Sequence, residues 1–283
     1  MSHVISKKDI INYYDLTFFE YNFILGLGSH LGMHYGYYDN NHKTYAEANR
    51  NLNCMIAKLA NVTKGMKVLD AGCGVGGSVI WLAKNIGAEA IGITLSKTQV
   101  EKAKMFAQKY EVRNLTQFMV GDYTHTKFPD KSFDVVWAIE SVCHAKEKLD
   151  FIKESYRILK PGGCLIVSDG FIKKRKITDS EKELIRKWLM GWKVPSLEYM
   201  DQFIEKMKSV GFKNIHKKDV SENVMPFSKR LYKWAKILNP IAQVLRFLGI
   251  FSRVNTGNVI AAAGQYPALK QGLWQYGIVW GRK

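Results

Sequence analysis

A glycine-rich segment, Val68-Leu69-Asp70-Ala71-Gly72-Cys73-Gly74-Val75-Gly76-Gly77, carries the strongest sign of binding chemistry in this chain. It follows an apolar stretch typical of a strand and precedes a stretch with helical character. Glycines at 72, 74 and 76 let the backbone turn sharply and approach a ligand, because no Cβ stands in the way. Asp70, just before the turn, can accept from a ligand ammonium group. The segment predicts a nucleotide-binding strand–turn–helix, with an unliganded tight turn as the alternative.

A carboxylate and an imidazole follow another apolar stretch, in Ala138-Ile139-Glu140-Ser141-Val142-Cys143-His144-Ala145. In an open α/β sheet, ligands bind where strands of this kind end. Glu140 can stabilise a cationic intermediate or remove a proton, and His144 can relay that proton. The alternatives are that Glu140 holds a ligand or lies beside a helix N-cap, and that His144 is a hydrogen-bonded structural histidine.

Aromatic side chains are concentrated upstream, in His30-Leu31-Gly32-Met33-His34-Tyr35-Gly36-Tyr37-Tyr38-Asp39. Because aromatic faces attract cations, Tyr35, Tyr37 and Tyr38 are candidates for stabilising positive charge. One of their hydroxyls is also a candidate for binding the carboxylate end of a ligand. A buried aromatic cluster is the better interpretation for at least one of the three.

The residues after the glycines indicate the class of nucleotide. NAD sites use G-x-G-x-x-G and an acidic residue about 20 residues on. Here the spacing is G-x-G-x-G, and the next predicted strand ends in Ile93-Thr94-Leu95-Ser96 without a carboxylate. The hydroxyl of Thr94 or the amide of Gln99 would have to hold a ribose. The pattern therefore departs from that of NAD-binding domains.

Predicted strands and helices alternate between residues 67 and 168, which indicates a doubly wound α/β sheet. Residues 229–251 are predicted to be helical with a proline break, and residues 274–280 to form a last strand. We therefore predict a Rossmann-like fold with an N-terminal helical cap (1–60), a ligand-binding core (61–172), and a substrate lid with the last strands (173–283). The predicted strands of the core are Lys67–Asp70, Ala90–Thr94, Thr116–Val120, Phe133–Ile139 and Cys164–Ser168.

Four motifs resemble the class I S-adenosylmethionine-dependent methyltransferases, closest to the sterol, tocopherol and isoprenoid C-methyltransferases and similar to the cyclopropane fatty acid synthases. The resemblance implies S-adenosylmethionine as the cofactor, with Asp122 accepting from the adenine amine and Tyr123 packed on the ring. The motifs are Leu69–Gly74, Gly92–Ser96 with Gln99, Gly121–Tyr123 and Leu159–Gly163. The implied cofactor-binding residues are Asp70, Gly72, Gly74, Thr94, Leu95, Gln99, Asp122, Tyr123 and Ile139.

The segment from Glu140 to His144 is similar to that of the sterol methyltransferases, in which the methyl group goes to an alkene carbon and a carbocation follows. This resemblance implies C-methylation of a lipophilic isoprenoid-type acceptor: a prenyl diphosphate, a sterol or a prenylated ring. Glu140, His144 and Tyr35 are the predicted catalytic residues. The C-terminal residues 275–283 look more like tocopherol and bacterial isoprenoid methyltransferases. The alternative is N- or O-methylation of a small amine or natural product, which depends more on positioning than on a cation-stabilising carboxylate.

The net charge of +17 in 283 residues suggests an acidic partner, although a solvated lysine-rich surface explains it equally well. In the predicted lid, Lys229, Arg230, Lys233 and Arg246 are candidates for gripping a diphosphate or resting on an anionic membrane. A nucleic-acid methyltransferase is disfavoured, because the Asn/Asp-Pro-Pro-Tyr/Phe motif and a recognisable RNA-binding module are both lacking.

The four cysteines have neither CxxC nor zinc-ligand spacing, so free thiols in a reducing compartment and no metal site are expected. The first eight residues lack an apolar signal-peptide region, and no run reaches the roughly 20 apolar residues of a membrane span. A cytoplasmic protein is therefore expected, and a homo-oligomer is left open.

Overall fold

One sheet with strand order β3-β2-β1-β4-β5-β7-β6 organises the computed structural model, which describes residues 5–25 and 31–283. The strands are β1 (Lys67–Ala71), β2 (Glu89–Thr94), β3 (Thr116–Val120), β4 (Phe133–Ile139), β5 (Leu159–Ile172), β6 (Lys213–Asp219) and β7 (Trp274–Arg282). The helices are α1 (Lys7–Leu25), α2 (Tyr45–Ala60), α3 (Gly77–Ile86), α4 (Lys97–Lys109), α5 (Lys148–Ile158), α6 (Asp179–Gly191), α7 (Met200–Val210), α8 (Ser221–Phe247) and α9 (Arg253–Lys270).

Strands β1 to β5 are parallel, and β7 runs antiparallel between β5 and β6. The central strand β4 is apolar at nearly every position and is almost completely buried, as a parallel strand covered on both faces must be. Since parallel strands end at the same edge, the segments after β1 and β4 meet there. The predicted Rossmann-like α/β fold is confirmed.

The helices that follow β5 have two different surroundings. Helix α7 packs on the sheet, where Phe203 and Met207 join the core formed by β4 and β5. Helices α6 and α8 instead each pack on α9, and α1 also contacts α9. The Asn258 side chain, for example, donates to Glu20 at 2.6 Å and accepts from Tyr13 at 2.8 Å. The division into cap, core and lid stays a prediction.

The C-terminal helices differ from the sequence prediction. A single helix broken by proline was expected over residues 229–251, but α8 continues through Pro226 and Pro240. The second helix, α9, was not predicted, because Gly257, Gly264 and Pro267 all lower intrinsic helix propensity. Tertiary packing decides here: a Cβ on Gly191 of α6 would lie 2.3 Å from the carbonyl oxygen of Gly257, so the glycines allow close contact between helices.

The structure also tests the predicted bounds of β5 and the prediction that the chain has no membrane span. Strand β5 was predicted at Cys164–Ser168 and is longer at both ends. At its C-terminal end, the pairing with β7 continues as far as Ile172. Within the described ranges, no helix has the combination of length and apolar character needed to cross a bilayer.

Candidate active site

A cavity of about 570 Å³ lies at the edge of the sheet where the parallel strands end. The structure brings all twelve predicted site residues to the wall of this one cavity, while the role of each stays a prediction. They are Tyr35, Asp70, Gly72, Gly74, Thr94, Leu95, Gln99, Asp122, Tyr123, Ile139, Glu140 and His144.

The glycine turn between β1 and α3 needs residues without side chains. Gly72 and Gly74 have φ angles of +101° and +52°, in the region that favours glycine. A Cβ on Gly72 would lie 2.3 Å from the Cβ of Ser141, which follows β4. The Ser141 hydroxyl donates to the Ala71 carbonyl at 2.5 Å. The turn is therefore packed tightly against the neighbouring strand end, and its backbone forms part of the cavity wall.

Asp70 precedes this turn and is only 4% exposed. Burial raises the pKa of its carboxyl to about 7. A cation bound beside it would favour the ionised form, as expected for a carboxylate that receives a ligand ammonium group.

After β2, a small hydrogen-bond network positions the amide of Gln99. The Thr94 hydroxyl donates to the Gln99 side-chain oxygen at 2.5 Å. Ser96 caps α4 by accepting from the Gln99 backbone N–H at 3.1 Å. Thr94 therefore holds Gln99 in place at the cavity wall.

After β3, Asp122 accepts from the hydroxyl of Thr124 at 2.7 Å and forms an ion pair with Lys7. Burial disfavours ionisation, but the Lys7 and Thr124 hydrogen bonds outweigh it and hold the pKa of Asp122 below its usual value. Tyr123 donates to the Ser141 carbonyl at 2.7 Å, and its ring packs edge-on against Phe151. Both residues are thus fixed in position at this end of the cavity.

Helix α1 crosses the cavity, and none of its residues was predicted to belong to the site. Its Lys7 contacts Asp122, its Asp15 accepts from Ser96 at 2.6 Å, and Tyr14 lies further along the wall. Successive turns of α1 therefore lie on the ends of different strands. These contacts join residues more than 80 positions apart, and no local pattern indicates them.

At the end of β4, Glu140 is held by two hydrogen bonds to one carboxylate oxygen. The Tyr276 hydroxyl and the Tyr35 backbone N–H both donate to Oε1 at 2.7 Å. Burial raises the pKa of Glu140 to about 8, although both hydrogen bonds oppose that rise. Its backbone has a φ of +49°, a left-handed conformation that costs about 1–3 kcal/mol in a residue with a side chain. The fold therefore holds Glu140 in an unfavourable backbone conformation.

His144 has a defined tautomer. Its Nδ1 lies 2.9 Å from the Lys193 carbonyl, which only accepts, so Nδ1 carries the proton. Nε2 is then free to accept from the Tyr14 hydroxyl at 2.9 Å. Burial lowers the pKa of His144 to about 4, which leaves the ring neutral at neutral pH. Nε2 is therefore the ring nitrogen that accepts a hydrogen bond from a hydroxyl group.

The predicted aromatic loop only partly reaches the cavity. Tyr35 lines it, but its hydroxyl donates to Gln265 of α9 at 2.8 Å. Tyr37 and Tyr38 are absent from the wall, and their backbone N–H groups bond the carbonyls of Ala48 and Asn223. His30, also quoted in the motif, lies outside the described residues.

The large apolar residues of the predicted lid lie in different surroundings. Four aromatic residues line the cavity, whereas Met200 and Phe203 belong to the core under α7, and Phe247 is 90% exposed. The basic residues Lys229 and Arg230 are exposed and do not line it. The four lining residues are Trp188, Trp192, Phe227 and Trp234.

Two lining residues, Asp169 and Tyr276, were not predicted from the sequence, and neither was Gln265, which accepts from the Tyr35 hydroxyl. Asp169 follows the buried core of β5, the same signal that identified Glu140, and it accepts from the Cys143 backbone N–H at 2.9 Å. Tyr276 lies near the start of β7, and only the antiparallel direction of that strand brings it to this edge. Gln265 lies on the helix that was not predicted, so no pattern indicated it.

The family model and the two relatives described next are all methyltransferases. Residues 69–167 match a family model described as a methyltransferase domain. The chain is 30% identical to the chloroplastic tocopherol O-methyltransferase of Arabidopsis thaliana, covering 87% of this chain and 75% of that protein. It is 33% identical to 24-methylenesterol C-methyltransferase 2 of the same plant, covering 63% of this chain but only half of that protein.

Among solved structures, the [4+2]-cyclase SpnF superimposes with a TM-score of 0.79 at 25% identity. The superposition covers 98% of this chain and 96% of that one.

Proposed function

This chain belongs to the S-adenosylmethionine-dependent methyltransferases, and we propose that it methylates a carbon atom of a lipophilic isoprenoid-type acceptor through a cationic intermediate. The observation that carries the proposal is the Glu140 carboxyl, held by Tyr276 and the Tyr35 amide in a cavity rich in aromatic side chains.

The residues after β1, β2 and β3 fit the cofactor. The glycine turn at 72–76 leaves room for close approach, and Asp70 is a buried carboxyl suited to an ammonium group. Gln99 is placed to bond the ribose, and the ionised Asp122 to accept from the adenine amine. When bound, S-adenosylmethionine supplies an electrophilic methyl group on a positively charged sulfur. We call this part of the wall, formed by Asp70, Gly72, Gly74, Thr94, Gln99 and Asp122, the cofactor end.

The remaining wall is both acidic and aromatic. The half-buried Glu140 and the buried Asp169 lie there, and desolvation raises the pKa of each. A positive charge on the acceptor would favour ionisation of Glu140, which in turn would stabilise that charge. Aromatic faces add to this stabilisation. We call this part, formed by Tyr35, Glu140, His144, Asp169, Trp188, Trp192, Trp274 and Tyr276, the acceptor end.

The wall also favours an acceptor that carries an oxygen. The indole N–H groups of Trp188 and Trp192 are buried and have no hydrogen-bond partner within the described residues. A buried donor without a partner costs about 1–3 kcal/mol, so a bound acceptor whose hydroxyl or carbonyl met either N–H group after a shift of the ring would gain that stabilisation. An ionised Glu140 would repel a diphosphate, and the basic residues Lys229 and Arg230 lie outside the cavity wall, so a sterol-like alcohol or a prenylated ring fits this end better than a prenyl diphosphate.

In the proposed reaction, an alkene or ring carbon of the acceptor gains the methyl group and the adjacent carbon becomes cationic. Loss of a proton from a neighbouring carbon then regenerates a double bond, and Glu140 is placed to take this proton. Glu140 must be ionised for this role. Because its pKa is about 8, ionisation near neutral pH depends on the positive charge of the bound acceptor, and the hydrogen bonds from Tyr276 and Tyr35 also favour the ionised form.

A screen with S-adenosylmethionine labelled in its methyl group tests the proposal against sterols, prenylated quinols, prenyl diphosphates and small amines. We expect label in a lipophilic product, at a carbon identified by NMR. Label on oxygen or nitrogen only, or cofactor binding without transfer to any member of the panel, would overturn it.

O-methylation is a second candidate because of His144. Its Nε2 already accepts from the Tyr14 hydroxyl, so an acceptor hydroxyl at that place could lose its proton to the imidazole as it receives the methyl group. A His144→Gln variant separates the two reactions. O-methylation would fall by about 10²–10⁴-fold, the range for loss of a general base, whereas C-methylation would depend chiefly on Glu140.

A further inference from the structure

An exposed apolar surface runs along one side of α8. Of the eleven large apolar side chains exposed in the described part of the chain, seven lie between residues 234 and 250. Most recur at intervals of three and four, which places them on one side of a helix. They are Trp234, Ile237, Ile241, Val244, Phe247, Leu248 and Ile250, here called the α8 stripe.

This surface is distinct from the face that α8 buries. Ala235 and Ala242 pack with Val259 of α9, and Phe227 belongs to the main core. Helix α8 therefore has one packed face and, beside it, an apolar face in contact with solvent. Contiguous apolar surface of this kind on a folded chain marks an interaction site.

The charged side chains of α8 and α9 that follow Glu222 are all basic. After Glu222 the sequence has neither Asp nor Glu up to residue 283, while it has nine Lys and Arg residues. Lys229, Lys233 and Lys236 are exposed and recur at helical spacing, so they form a basic row beside the stripe. A helix with an apolar face and a lysine-rich edge matches an anionic lipid surface, where its apolar side chains enter and its lysines meet the headgroups.

The α8 stripe is continuous with the cavity. Trp234 is 48% exposed and also lines the cavity. Leu231, Ala235 and Leu238, from the same turns of α8, line it too. The solvent-facing and cavity-facing sides of α8 therefore meet at Trp234.

We propose that the α8 stripe and its lysine row dock the protein on an anionic membrane, with the cavity mouth at Trp234 turned toward the bilayer. Docking follows from α8 alone and goes beyond the methyl-transfer reaction. Direct passage of the acceptor from bilayer to cavity rests, in addition, on the proposed lipophilic acceptor.

Flotation with phosphatidylcholine vesicles, with and without phosphatidylglycerol, tests the docking. We expect the full chain to float with the anionic vesicles and to bind the neutral ones much more weakly. Combining Ile237→Ser, Ile241→Ser and Phe247→Ser should abolish flotation, and Lys229→Gln with Lys233→Gln and Lys236→Gln should weaken binding at least about tenfold.

The controls make substitutions of the same kind at exposed residues outside α8. Met105→Ser with Val120→Ser removes two exposed apolar side chains elsewhere, and Lys104→Gln with Lys109→Gln removes two exposed lysines from α4. Neither control should change flotation. Absence of wild-type binding to anionic vesicles, or equal loss in the controls, would overturn the proposal, as would size-exclusion data showing a dimer that the α8 stripe variants convert to a monomer.

Activity in detergent distinguishes this inference from the proposed function. The three α8 stripe substitutions lie outside the cavity wall, so turnover of a detergent-dispersed acceptor should stay unchanged while turnover of the same acceptor in vesicles falls. If no acceptor is methylated yet flotation depends on the α8 stripe, the methyl-transfer proposal fails and the docking stands.

Discussion

The two ends of the cavity are built in different ways. At the cofactor end, each contributing group follows its own strand closely: the glycine turn follows β1, Thr94 ends β2, and Asp122 follows β3. At the acceptor end, Glu140 meets Tyr276 from 136 residues away and Tyr35 from 105 residues away. The cofactor end thus depends on local strand–turn signals, whereas the acceptor end depends on how distant elements pack.

The ends also treat their carboxyl groups differently. Asp122 is partly exposed and paired with Lys7, and its pKa is held below the usual value. Glu140 is half-buried, and desolvation raises its pKa to about 8. A carboxylate kept ionised suits recognition of a neutral base edge. One that ionises more readily beside a positive charge suits stabilisation of a transient cation.

The largest expected effect is at the acceptor end. Glu140→Gln keeps the size of the side chain and removes its charge, so methyl transfer should fall by about 10³-fold while cofactor affinity stays unchanged. Single-turnover kinetics with labelled cofactor and calorimetric binding measure the two quantities. Glu89→Gln, at an exposed position on β2, is the matched control. Unimpaired turnover in Glu140→Gln would contradict the cationic mechanism.

At the cofactor end, Gly72→Ala should weaken cofactor binding by about 10²-fold, since a new Cβ would lie 2.3 Å from Ser141 and displace the turn. Gly162→Ala is a control for the backbone alone, because it has a φ of +79° but nothing within 4 Å of its Cβ. It should cost about 1–2 kcal/mol of stability and leave binding unchanged. Equal cofactor binding in the two variants would show that the turn does not shape the cofactor end.

The two carboxyls should give stability opposite dependences on pH. Because the folded state raises the pKa of Glu140 from 4.5 to about 8, its contribution is full below 4.5 and is lost as pH rises through that range, by on the order of 4 kcal/mol. Asp122 has a lowered pKa, so its contribution is present above 3.8 and is lost as pH falls through its lower folded value. Denaturant unfolding of wild type, Glu140→Gln and Asp122→Asn across pH separates the two contributions. If the free energy of unfolding had the same pH dependence in wild type and Glu140→Gln, the predicted contribution of Glu140 would be contradicted.

The smallest effect is expected from Lys7→Gln. The Lys7 side chain is 67% exposed, and ion pairs of that kind contribute about 0–1 kcal/mol, so cofactor affinity should change less than about fivefold. Lys8→Gln on the next residue is the control. A loss near that of Gly72→Ala would mean that helix α1 is a principal part of the cofactor end.

Several features were predictable because they depend on short segments. The apolar run of β4 and the glycines after β1 indicated a parallel sheet and a ligand-binding turn, and both are present. Glu140 and His144 were found because functional groups gather where parallel strands end. Helix α9 was not predicted because its glycines lower helix propensity. Pro240 was predicted to break the helix, but α8 continues through it and packs against α9.

By itself, the sequence determined the doubly wound fold, the cofactor turn and the identity of the carboxyl at the end of β4, since these follow from local periodicity and backbone sterics. Only the tertiary structure decided that Tyr276 and Tyr35 hold that carboxyl, that Tyr37 and Tyr38 lie away from the cavity, and that α8 leaves an apolar side uncovered. The reason is that these outcomes depend on contacts between residues far apart in the chain. Burial and pairing there set both the pKa of Glu140 and the surface that remains exposed.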